Sequence, residues 1–187
     1  MTPIRVDDPA VEPVSLAAMR AYLRLDPDHD AEDGLVTSLL AAARSAIEAA
    51  TGRILAPGRY RLMLTAWPAD GRVPLPLSPL VALVRASVVD AQGAVTELGP
   101  GLVRPGPDPV EAPVLIVDPA APSLMGRAAL VEVAAGYGGE GPPLPPALAQ
   151  AIRMLTAAWF EHRGDEAVPI LPASVAALIA PHRRLRL

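Results

Sequence analysis

Pro145 to Gly164 reads P-P-A-L-A-Q-A-I-R-M-L-T-A-A-W-F-E-H-R-G, and its period decides the fold. Leu148, Ile152, Leu155 and Trp159 recur at steps of four, three and four, one stripe of an α-helix, while Gln150, Arg153 and Glu161 fall off it. The stretch is therefore a helix with one buried face. Pro145 and Pro146 suit its first turn, because proline lacks an N–H that the helix would not use and already holds a helical φ. Gly164, after Arg163, suits its stop. Phe160 is the only Phe of the chain and Trp159 one of two Trp, so this helix is expected to bring the bulkiest core anchors.

Upstream, an extended arm leads to Ser15, a side chain suited to cap a short helix over Leu16–Leu23 with Leu16, Ala18, Met19 and Tyr22 available for one face. Asp30 is expected to cap the next helix, with Glu32 and Asp33 in its first turn and Leu35, Leu39, Ala42, Ala46, Ile47 and Ala50 as its stripe; Thr51 and Gly52 end it. From Arg59 the period changes to two. R-Y-R-L-M-L-T-A-W, L-V-A-L-V-R-A-S-V-V-D-A-Q-G-A-V-T-E-L, P-V-L-I-V-D and A-L-V-E-V-A-A-G-Y-G read as strands between Pro and Gly turns, with a hairpin turn at Asp90–Gly93. Ala173 to Ala180 is a short helix that Pro181 stops, and H-R-R-L-R-L follows. The expected class is α+β: about four helices in a bundle with a small antiparallel β domain inserted. Residues 1–57 would be the arm and a helical hairpin, 58–141 the β insertion, and 142–187 the C-terminal helices and tail, packing with 1–57 as one helical domain.

A chain of 187 residues buries about 70% of its unfolded surface, enough for a core without staples. Cysteine is absent, which excludes disulfides, thiol catalysis and thiolate metal sites. A net charge of −4 argues against a protein that wraps nucleic acid by neutralising phosphates, although all sixteen basic residues are arginine. No run approaches the ~18 apolar residues of a membrane span, and the opening M-T-P-I-R-V-D-D-P has no signal-like apolar core, so a soluble protein made in the cytoplasm is expected. The high apolar content, 51%, suggests surfaces that another subunit covers.

Three patterns invite a chemical reading. Gly136, Gly138 and Gly141 spell G-x-G-x-x-G after a strand, but Pro142, Pro143, Pro145 and Pro146 remove the donors and hold extended the backbone that a dinucleotide helix would need, so no cofactor is expected. Asp26, Asp28 and Asp30 occupy the first, third and fifth places of a calcium loop. Ala31 stands where that loop turns on Gly, and Thr37 where its bidentate Glu belongs, so no metal is expected either. His29, His162 and His182 lie on separate elements without a ligand partner in spacing, no serine sits in a nucleophile elbow, and no enzyme activity is indicated. Arg183, Arg184, Leu185, Arg186 and Leu187 remain: a solvated basic end, or an extended segment whose alternating side chains add a strand to a partner's sheet edge.

In order, the residues resemble the head-tail connector, or adaptor, proteins of long-tailed phages and gene transfer agents. The matching positions are L-R-L-D at Leu23–Asp26, E-D at Glu32–Asp33, A-A-R at Ala42–Arg44, Glu48 with T-G-R at Thr51–Arg53, and W-P at Trp67–Pro68. They continue with P-L-P and P-L at Pro74–Leu80, V-D with a following Gly at Val89, Asp90 and Gly93, and G-Y-G at Gly136–Gly138. They close with P-x-x-L-x-x-A-I at Pro145–Ile152, W-x-E-x-R at Trp159–Arg163 and V-x-A-L-x-x-P-x-R-R at Val175–Arg184. The resemblance implies a ring, usually of twelve copies, under the portal at the capsid vertex, with a DNA channel through it and a tail-completion (stopper) protein docking below. DNA would pass without sequence-specific binding, and residues 183–187 would reach the portal. The rival expectations are a monomeric protein-binding module and a small hydrolytic enzyme.

Overall fold

The computed structural model describes residues 1–7, 11–26, 28–162 and 170–184. The chain is α+β and divides into two compact units, Met1–Ala10 with Pro57–Pro142 and Val11–Ala56 with Pro143–Leu187.

The first unit is built from strands. β1 (Ile4–Arg5), β2 (Gly58–Leu64), β4 (Leu80–Val89), β5 (Val95–Glu97) and β8 (Ala128–Ala135) form one antiparallel sheet in the order β1-β2-β8-β4-β5. β3 (Arg72–Pro74), β6 (Val103–Pro105) and β7 (Val114–Val117) form a second, in the order β3-β7-β6. Alternation orients the large sheet: Tyr60, Leu62, Ala129, Val131, Val133 and Ala135 are buried, whereas Arg59, Arg61 and Met63 are exposed between them. One covered and one wet face is what an antiparallel sheet with period-two patterning forms. The β4–β5 turn is the hairpin expected at Asp90–Gly93. Asp90 Oδ1 accepts from the N–H of Gln92 and of Ala94, both at 2.9 Å, and Gly93 takes the positive φ, 85°, that the turn requires. Arg5 fastens the arm: its guanidinium donates to Asp7 and to the Pro57 carbonyl and lies 5.8 Å from the Tyr60 ring centre.

The second unit holds α1 (Leu16–Leu23), α2 (Asp33–Thr51), α3 (Pro146–Glu161), α4 (Ala173–Ile179) and a 3-10 turn, Ala180–His182. Ser15 caps α1, accepting from the Ala18 N–H at 3.2 Å. Met19, Leu40, Ile47, Leu148, Ile152, Leu155 and Ile179 are fully buried, and α2 packs on α3, α3 on α4 and α1 on α2. Truncating any one of these to Ala would cost about 2–5 kcal/mol.

Several expectations change here. α2 starts at Asp33 with Glu32 as its cap, not at Asp30, whose carbonyl instead accepts from the Asp33 N–H at 3.0 Å. Its buried stripe is Val36, Leu40, Ala43, Ile47 and Thr51, one residue on from most of the expected set, and Leu35 is 38% exposed. Apolar residues occupy adjacent positions along this helix, so periodicity alone left its phase open. On α3, Leu148, Ile152 and Leu155 are buried with Ala151 and Thr156, but Trp159 and Phe160 are only half-buried near the helix end and do not anchor the core. α3 closes on His162, whose N–H reaches the Ala158 carbonyl; Arg163 and Gly164 lie outside the described residues.

Candidate functional site

Among the residues singled out for binding, Arg183 and Arg184 are described, while Leu185, Arg186 and Leu187 lie outside the described residues. Arg183 leaves the 3-10 turn with φ −69° and ψ 129°, an extended backbone. The Arg184 N–H then donates to the carbonyl of Thr51 at 2.9 Å. Two motifs far apart in sequence, T-G-R and P-x-R-R, therefore meet.

Each part of T-G-R has a separate task at this junction. The Thr51 hydroxyl donates to the Ile47 carbonyl at 2.7 Å and accepts from the Arg53 N–H at 3.3 Å, while the Thr51 carbonyl, the last of α2 and without an intrahelical donor, takes the Arg184 N–H. Gly52 ends the helix in the left-handed region at φ 69°, and the Arg184 stem crosses it, with its Cβ 3.7 Å from where a Gly52 side chain would begin. Arg53 is 3% exposed, and its Nε donates to the His182 carbonyl at 2.7 Å. Arg184 and Arg53 thus hold the turn from both sides before the chain departs.

A second layer fixes the end of α2. Glu48 accepts the Leu55 N–H at 2.7 Å with one oxygen and the Arg44 guanidinium at 2.8 Å with the other, and Arg44 Nε reaches Glu12 at 2.9 Å. Burial works to lower the Arg44 pKa, but hydrogen bonding and attraction from Glu12 and Glu48 outweigh it, and the group titrates above its ordinary value. Arg44 therefore stays charged under any working condition. In the sequence Arg44, Glu48 and T-G-R stand only as motif letters, and Glu12 carries no local signal of its pairing with Arg44.

The other patterns resolve into structure. Gly136, Gly138 and Gly141 form a tight exit from β8: Gly136 N–H donates to Pro79, Gly138 N–H to Pro142 and Gly141 N–H to Gly138. In the acidic turn before α2, Arg20 donates to the carbonyls of Asp26 at 2.7 Å and His29 at 2.6 Å and to both oxygens of Asp33, so a guanidinium fills the interior of that turn. Among the described residues no group of three or more potential ligands is placed to hold a metal, and no helix is long and apolar enough to cross a membrane.

The site is thus a hydrogen-bonded junction between the end of α2 and Arg183–Arg184. No family model and no curated protein matches the sequence. Solved structures do match. A chain in the virion of a native gene transfer agent particle aligns with TM-score 0.85 and 32% identity, over 100% of this chain and 97% of that one. Chains in the neck of the empty particle, computed with C6 symmetry, and in the neck of the native particle, computed with C12 symmetry, align over the same shares at the same identity, with TM-scores 0.84 and 0.75. With that identity along the whole of both chains, this protein belongs to the family of gene transfer agent neck proteins, structural components of a phage-like particle.

Proposed function

We propose that the protein is a head-tail adaptor: twelve copies form a ring that joins the portal to the tail and lines the DNA channel. The observation that carries this reading is the whole-chain likeness to neck chains from particles solved with six- and twelve-fold symmetry. Within each copy the helices act as a bundle into which an antiparallel β domain is inserted. Arg183, Arg184, Leu185, Arg186 and Leu187 add a strand to the portal, and the Thr51–Arg53 root supports this by fixing where that strand begins. A stopper protein docks on the opposite side. DNA passes without sequence-specific contact, which the net charge of −4 favours. The role uses no cofactor and no catalytic step.

Electron microscopy of portal rings mixed with this chain tests the reading. Twelve copies should appear beneath each portal, and a variant lacking residues 183–187 should leave the portals bare. A chain that stays single beside intact portals would favour a monomeric module and end the adaptor reading.

A further inference from the structure

The wet face of the large sheet carries a charged hollow. Register sets Arg61 opposite Glu132 across β2 and β8, and Glu132 opposite Arg85 across β8 and β4. Both guanidiniums converge on one oxygen, Glu132 Oε1: Arg61 through Nε at 3.0 Å and Nη2 at 2.7 Å, Arg85 through Nη2 at 3.0 Å. Two cations share one anion, so a positive charge is left over, and the Nη1 groups of both arginines have no partner among the described residues. The arginine side chains stay 45% and 49% exposed, against 14% for Glu132. With Ser87, Val95 and Leu130 they line a hollow of about 340 Å3, and Met63 on β2 and Val95 are each 61% exposed. Spare donors beside exposed apolar side chains fit a carboxylate presented by a protein surface.

The chain displays such a carboxylate itself. Arg20 grips the turn before α2 by its carbonyls and by Asp33, and Asp26 Oδ1 accepts the Asp28 N–H. Asp28 and Asp30 are exposed, and neither carboxylate has an ion pair among the described residues. A ring closed by rotation needs two different, complementary surfaces on every copy, since each copy meets its neighbours head to tail.

We propose that the Arg61–Arg85 hollow receives the Asp28–Asp30 turn of a second copy, as one of the copy-to-copy contacts of the ring; this rests on the adaptor reading above. A phosphate backbone fits less well. Glu132 stands in the middle of the hollow and limits the surplus to one charge, whereas duplex binding rests on a row of uncompensated cations.

The absence of cysteine gives a clean test. In a chain carrying both Val95→Cys and Asp28→Cys, the two thiols lie on opposite sides of the proposed contact. Added to portal rings and mildly oxidised, it should give a ladder of covalent multimers, while either single variant stops at dimers. Arg61→Glu with Arg85→Glu should lower the copies bound per portal about tenfold, and adding Asp28→Arg with Asp30→Arg should restore them. If the double-cysteine chain joins portals in full number without a ladder, the contact is wrong and the adaptor reading stands. If the wild-type chain never joins portals in multiple copies, the reading beneath it is wrong. Full occupancy by the Arg61→Glu, Arg85→Glu chain with altered DNA retention would overturn the proposal in favour of a phosphate contact.

Discussion

The Arg184 N–H donates to the Thr51 carbonyl at 2.9 Å, tying the start of the 183–187 segment to the last turn of α2. Helix ends leave carbonyls without partners, and here a residue distant in sequence supplies one. The position of the Arg184 backbone is therefore set by α2.

Arg53 is the second tie, so Arg53→Ala should loosen the root. It removes the bond to the His182 carbonyl and empties a 3% exposed position, at an expected cost of about 3 kcal/mol. Urea denaturation reads the loss, and faster amide exchange at Arg183 and Arg184 locates it. Arg53→Lys should recover only part, because an ammonium lacks the planar fork.

Thr156 Oγ1 is the one buried side-chain polar atom without a hydrogen-bond partner among the described residues. Thr156→Val keeps the shape and removes the unmet hydroxyl. The variant should gain about 1 kcal/mol, raising Tm by about 3 °C. A loss of stability in calorimetry would mean that the hydroxyl is satisfied in solution.

Gly141 and Gly34 should respond oppositely to alanine. At Gly141 an added Cβ would press on the Gly136 and Gly138 carbonyl oxygens and on Val81, and the cost should be about 2 kcal/mol. Gly34, early in α2, has nothing within 4 Å of that position, and Gly34→Ala should stabilise by up to about 1 kcal/mol. Paired thermal melts check both.

Glu132 gives the sheet a pH dependence. Hydrogen bonding from Arg61 holds its carboxyl below the ordinary value of 4.5; burial opposes this and Arg85 adds to it. Below 4.5 the unfolded chain takes up the proton first, so the contribution is whole above that value and is lost as pH falls through the lowered one. The cluster is partly exposed, so Glu132→Gln should cost at most about 1 kcal/mol at neutral pH. As pH falls below 4.5 it should lose less stability than wild type. Equal slopes in denaturation against pH would remove Glu132 from the account.

Much of the fold was legible because its signals are local. Ser15 as a cap, the Asp90–Gly93 turn, the Pro145–Pro146 start and the alternation of β2 and β8 each lie within a few residues, where backbone sterics and short hydrogen bonds decide the outcome. The short strands β1, β3 and β6 carry no sequence signal, since two or three residues show no period. β1 exists because Arg5 finds Asp7, Pro57 and Tyr60. The candidate site was legible only as letters in order: nothing in T-G-R says that its carbonyl waits for Arg184.

By itself the sequence determined the α+β class and the helix and strand periods, which follow from residue type and spacing, and it carried a resemblance to head-tail connector proteins. Tertiary structure alone decided the phase of α2, the half-buried positions of Trp159 and Phe160, and the junctions at Thr51 and Glu132. The physical reason is that an Ala- and Leu-rich helix offers several nearly equal faces. Ion pairs and carbonyl acceptors acquire partners only when packing brings distant segments within hydrogen-bond reach.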